Sequence, residues 1–228
     1  MLTRLSQALL LLVFASFVSA ARAEASGEVE GVDCPVPWVR VLGAIDADFH
    51  DICTGAKAAL DFFARIGLYP TAPLFFVVGS PLPAKVGPTA VGCYVKEENR
   101  IYVVPFAEFE KQETWFKVPI IRDIYQSLAA HETAHALASC HFKRSNPTIQ
   151  AQEHVAYAAM FSTMKRDLRD QALTMFPGTG FTDPDRITGI RYMVDPMRFA
   201  IDAYRHYVRP ENGPKFLQQV LSGAALTD

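Results

Sequence analysis

His131-Glu132-Thr133-Ala134-His135 is the stretch on which the reading of this chain turns. On a helix, residues four apart share a face, so two imidazoles of this string can point at one ion while Glu132 stands beside it. The flanking residues predict the helix. From Pro119 onward, Ile121, Ile124 and Leu128 recur at helical spacing, and the same stripe continued by three and then four residues reaches His131 and His135. Ala129, Ala130, Ala134, Ala136 and Ala138 are strong helix formers whose small side chains let another element approach closely.

A catalytic zinc takes three protein ligands, and the third has two candidates. His141 has the spacing of the metzincin signature HExxHxxGxxH, but Ala138 stands where that signature has the glycine that turns the chain. Glu153 needs a second helix, and Asn146 as N-cap, Pro147 at the first helical position and the stripe Ile149, Glu153, Ala156, Met160 and Met164 predict one. If the first helix ends near Cys140, His135 lies about 8 Å from its end. Glu153 lies about 9 Å inside a helix beginning at Pro147, so an antiparallel pair brings the two ligands level.

With HExxH at 131–135 and the run Glu153-His154-Val155-Ala156-Tyr157, the segment Ile121 to Phe161 resembles the gluzincins, the thermolysin- and aminopeptidase-like zinc peptidases, and within them the minimal single-domain secreted members. The resemblance implies an α+β fold: a small N-terminal sheet with a helix packed on it, then a mostly helical C-terminal part carrying the HExxH helix and a Glu-bearing helix. It implies Zn2+ held by His131, His135 and Glu153, Glu132 as general base, and a peptide or protein substrate. It also implies an oxyanion donor from later in the chain, for which Tyr157, Tyr192, His206 and Tyr207 are the candidates. Two positions depart from the pattern. His154 follows the glutamate where many relatives have glycine, and Tyr157 stands where thermolysin-like enzymes place an aspartate that supports a histidine ligand. The alternatives are a catalytically inactive zincin-fold binding protein, a metzincin-like site using His141, and a cell-wall amidase with similar zinc chemistry.

The amino terminus reads as a signal peptide over residues 1–23: Arg4, an apolar run from Leu5 to Val18, and the small-x-small site Ala21-Arg22-Ala23. The run is shorter than the roughly 20 residues a spanning helix needs. An exported chain of residues 24–228 is expected to form a single domain, periplasmic or extracellular, with no membrane association. With Arg4 and Arg22 removed, 20 basic side chains face 24 acidic ones, a formal charge of −4 that gives no support for nucleic-acid binding. The four cysteines, in an oxidising compartment, suggest two disulfides, Cys34–Cys53 and Cys93–Cys140 being the preferred pairing.

Before the metal helix the pattern predicts a strand over Trp38–Leu42, a helix over Asp46–Ile66, a strand over Leu74–Val78, and a hairpin of Cys93–Val95 and Arg100–Val104 around Lys96-Glu97-Glu98-Asn99. In gluzincins an edge strand at this stage binds substrate backbone, which makes Gly92–Val95 the candidate here. In the connection Phe106 to Val118, Trp115 and Phe116 either rim the cleft or pack over the sheet, packing being the preferred role. Asp183-Pro184 and Asp195-Pro196 signal helix starts in the C-terminal third, with helices running to about Tyr207 and from Pro214 to Leu221. Arg198, Arg205 and Arg209 read as a solvated helix face.

Overall fold

The computed structural model describes residues 31–84, 86 and 90–227; the signal-peptide expectation on residues 1–23 lies outside them. The fold is α+β, with a mixed N-terminal sheet and a mostly helical C-terminal part. A short strand β1 (Val32–Asp33) pairs antiparallel with β2 (Val39–Leu42). Helix α1 (Asp46–Ala64) then crosses to β3 (Leu74–Val78), which runs parallel to β2, as a helical crossover permits. The hairpin of β4 (Gly92–Val95) and β5 (Arg100–Val103) closes the sheet in the order β1-β2-β3-β5-β4, so β4 is an edge. Side-chain alternation sorts the two faces. Val41, Phe76, Ile101 and Tyr94 form one row across the sheet, and Val78, Val103 and Gly92 the next, both on the face that buries Val41, Phe76, Ile101 and Val103.

The connection after β5 holds α2 (Phe106–Phe109) and a two-stranded ribbon, β6 (Thr114–Trp115) with β7 (Val118–Pro119). Phe116 and Lys117 make its turn, both at positive φ (53° and 59°), the signature of a type I′ hairpin. That ribbon moves the start of the metal helix: Pro119 belongs to β7, Ile121 is an exposed N-cap and not part of the buried stripe, and α3 runs Arg122–His141. From Ile124 to His131 the expected stripe is buried, and His135 is half-buried.

α3 packs against α1 on one side and α4 (Ile149–Thr163) on the other. Gly55 of α1 makes the first contact possible, because a Cβ there would lie 2.1 Å from the Gln126 carbonyl oxygen. A backbone atom cannot swing away as a side chain can. Gly55→Ala is therefore expected to lower stability by roughly 1–3 kcal/mol, as overpacking of a tight core does, seen as a lower urea midpoint with an unchanged m-value. The N-terminal turn of α3 is fixed by a polar clamp: Arg122 donates to the buried carboxylates of Asp48 (2.6 Å) and Asp51 (3.0 Å), and Gln126 to Asp51 (2.7 Å).

α4 begins later than Asn146 and Pro147 predict. Thr148 is the N-cap, its hydroxyl accepting from the Ala151 N–H at 3.3 Å, while the Pro147 carbonyl accepts from the Gln152 side chain at 3.1 Å. Threonine competes well for the cap position. Beyond lie α5 (Arg166–Met175), a single 3-10 turn at Pro184–Arg186 where Asp183-Pro184 signals a helix, α6 (Gly189–Val194), α7 (Pro196–Tyr207) and α8 (Gly213–Ser222). The arginines of α7 are not a solvated face. Arg205 donates to the Phe176 and Leu173 carbonyls at 2.6 and 2.9 Å, Arg209 to Thr179 O at 3.0 Å, and Arg198 pairs with Asp202 at 2.9 Å. Arg205 and Arg209 fasten the end of α5 and the segment after it.

Cys34 and Cys53 form a disulfide across a sequence separation of 19, joining the β1–β2 loop to α1. Cys93 and Cys140 remain thiols, against the expected second bridge. Cys93 stands opposite Tyr102, on the sheet face turned away from the helices, and Cys140 lies on α3 with its Sγ directed at the Ala136 carbonyl (3.6 Å). The pleat sets the two thiols on opposite sides of β4. Reducing or replacing the Cys34–Cys53 bridge is expected to cost about 3 kcal/mol from loop-closure entropy, measurable by calorimetry of a Cys34→Ser/Cys53→Ser variant. No helix among the described residues is long and apolar enough to cross a membrane.

Candidate metal centre

Three side chains from two helices converge. His131 and His135 lie one turn apart on α3 with their Nε2 atoms 3.0 Å from each other. Glu153 reaches across from α4, its Oε2 3.6 Å from His131 Nε2 and its Oε1 3.6 Å from His135 Nε2. Ligands about 2.0–2.1 Å from a tetrahedral zinc sit roughly 3.3–3.4 Å apart; here one ligating atom from each residue lies within 4.8 Å of the others, close enough for the three to share one ion. Among the described residues these three form the one such group of ligating side chains.

The electrostatics fit a cation. Burial, and then the neighbouring His135, hold His131 well below the ordinary imidazole range, and burial takes His135 down to about 4. Both rings are neutral and keep the lone pairs a metal needs. Burial pushes Glu153 up to about 8 despite the nearby Tyr192 hydroxyl, which acts in the other direction. Burial, reinforced by Glu153, raises Glu132 well above the carboxylate range. Glu132 Oε2 and Glu153 Oε2 are buried with no hydrogen-bond partner. Two crowded, unsatisfied carboxyl groups are costly by themselves, and a divalent cation between them and the imidazoles reverses the sign of that local field.

The edge strand makes room for Glu132. Gly92 sits over it so closely that a Cβ would lie 2.7 Å from Glu132 Oε1 and 2.9 Å from its Cγ. Glycine in a strand interior often marks such a close approach, the one local signal in the sequence that this position matters to the site.

The expected donors divide. Tyr157 and Tyr192 line the cavity with the three ligands and Glu132, and the Tyr157 ring stacks on His131 with centroids 4.5 Å apart. His131 is thus oriented by ring packing, and its Nδ1 meets no hydrogen-bond partner. His206 is not at the site. It is buried behind α4, its Nδ1 3.2 Å from His154 Nε2, with Phe216 against both rings. Tyr207 packs on Phe62 of α1. His141, the metzincin-like alternative, turns away from the pair and meets the Tyr69 carbonyl through Nε2 at 2.9 Å.

The cavity over the centre measures about 910 Å3. Trp115 and Phe116 belong to its wall and not to the back of the sheet, because the β6–β7 ribbon folds over toward α4 and sets Phe116 against Phe161 and Tyr157. Met197, from the start of α7, and Gln152 complete the wall. Neither carries a local sequence signal, since only the packing of distant segments brings them here.

The protein family described as Family of unknown function (DUF6639) matches residues 39–228. The chain belongs to this family. Every group of the centre, from Gly92 to Tyr192, lies within the span that DUF6639 covers. Comparison with curated proteins and with solved structures finds no match.

Proposed function

We propose that this DUF6639 protein is an exported zinc-dependent peptidase of gluzincin type. The observation that carries the reading is the convergence of one ligating atom each from His131, His135 and Glu153 within 4.8 Å, with the buried Glu132 lining the same cavity. Zinc held there supplies Lewis acidity, polarising a carbonyl and bringing the pKa of water down to about 7.

The chain's own groups supply the rest. Glu132 takes a proton from the attacking water as its oxygen bonds to the carbonyl carbon, then returns it to the amide nitrogen as the C–N bond breaks, releasing a carboxylate and an amine. Tyr157 and Tyr192 are the donors for the oxyanion; burial raises both hydroxyls above the ordinary phenol range, so each keeps its proton to give.

Strand β4 orients the substrate. The Val104 N–H donates to the Val91 carbonyl at 2.9 Å, and by antiparallel alternation Cys93 and Val95 also face β5. The N–H and C=O of Gly92 and Tyr94 then point to the open edge, where an extended peptide adds as a further strand. The disulfide Cys34–Cys53 fits an exported protein.

The direct test is zinc content by elemental analysis together with hydrolysis of a mixed peptide library. One bound zinc per chain and activity lost to a chelator and restored by added zinc are expected; a protein that binds no zinc, or a zinc-loaded one that cuts nothing, refutes the reading.

A further inference from the structure

A second cavity, of about 510 Å3, opens beside the first. The two share Cys93, Tyr94 and Gln152 in their walls and lie along one strand. The first occupies the Gly92 end of β4, where Glu132 lies; the second occupies the Val95 end and the turn beyond it, roofed by the loop that joins α3 to α4. Their chemistry differs. The first is walled by Trp115, Phe116, Leu128 and Met197. The second combines the polar Lys96, Ser139, Ser145 and Asn146 with the apolar Phe142 and Pro147.

Resting on the peptidase reading above, we propose that this second cavity is a specificity site for a hydrogen-bonding side chain of an extended polypeptide substrate, three to four residues from the bond that is cut. The placement follows from strand geometry. A chain added to β4 advances about 3.3 Å per residue, and the end of the strand at Val95 and the turn that starts at Lys96 lie three and four residues beyond Gly92, roughly 10–13 Å along the strand direction. A bound strand aligned with Gly92 at the cleaved bond brings a side chain to the second cavity at that distance. A neutral polar side chain (Asn, Gln, Ser or Thr) can pair with the hydroxyl and amide groups there, whereas an aliphatic one strips them of water without replacing their hydrogen bonds. The protein therefore cuts within a chain, and dipeptides or peptides that stop short of the second cavity are poor substrates.

The test uses zinc-loaded protein and a decapeptide library, with cut sites read by mass spectrometry. Asn, Gln, Ser and Thr are expected to be enriched over Leu and Val at one position three or four residues from the cut, on one side only. A peptide trimmed to end before that position should be cut with kcat/KM lower by about tenfold. Asn146→Trp and, separately, Ser145→Trp fill the cavity from its exposed loop, and in each the enrichment and the length dependence should disappear together while zinc content stays at one per chain. Zinc-dependent cutting with no enrichment and no length dependence in the wild type, or enrichment that survives both tryptophans, overturns the second site and leaves the peptidase reading standing. Absence of any zinc-dependent cutting overturns the peptidase reading itself, and this site with it. Because the wild-type measurements decide the matter alone, a poorly folding variant does not rescue the proposal.

Discussion

Glu132→Gln should abolish hydrolysis while leaving zinc in place and making the metal-free protein more stable. The amide keeps the shape of the side chain, so it still fits beneath Gly92, where no Cβ intrudes. It cannot take a proton from water, and the loss of a general base costs roughly 10²–10⁴ in rate. The stability gain has a separate origin. Glu132 is buried beside Glu153, and its Oε2 has no partner; replacing the carboxyl removes a repulsive, desolvated group. A gain of about 1 kcal/mol reads as a rise of roughly 2–4 °C in the Tm of a protein this size. Activity on a peptide library, zinc by elemental analysis and calorimetry of the chelated protein check the three parts. Activity within tenfold of wild type would remove Glu132 from the role of base.

Glu153→Ala should release the metal, and His141→Ala should not. The alanine leaves two imidazoles where a tetrahedral protein site needs three ligands. Losses of groups that merely support a ligand already cost 10–100-fold in affinity, so removal of a ligand is expected to cost more than about a hundredfold. His141 meets the Tyr69 carbonyl at 2.9 Å and is not among the clustered ligating side chains. Competition titration with a zinc-binding dye measures both. Zinc lost from the His141 variant and kept by the Glu153 variant would overturn the assignment of ligands.

The clustering of His131, His135 and Glu153 was legible in the sequence because helical geometry is local. His131 and His135 share a face by spacing alone, and Glu153 keeps its inward position although its helix begins at Ile149 and not at Pro147, which leaves Glu153 about 6 Å from that start where His135 lies about 9 Å from the end of α3. Misplacing the cap by two residues shifted the helix boundary and not the periodicity, and periodicity is what aims the side chain. The second disulfide failed for a related reason. Cys93 and Cys140 lie close along the fold, but the two-residue period of β4 turns Cys93 to the face away from α3, and only the register with Tyr102 reveals which face that is.

His206 and Tyr157 show the same division among the polar candidates. Both are buried and both follow the metal helix, yet only the packing of α7 and α8 behind α4 turns His206 toward His154 and Phe216 and away from the cavity. By itself the sequence determined an α+β chain with a helix that presents two imidazoles and a carboxylate on consecutive turns, since charge, spacing and turn chemistry act over a few residues. Tertiary structure alone decided that Gly92 clears the space Glu132 occupies, that Trp115, Phe116 and Met197 wall the site, and that a second cavity opens farther along β4. Those facts depend on contacts between segments far apart in the chain, and no local pattern encodes the distance between them.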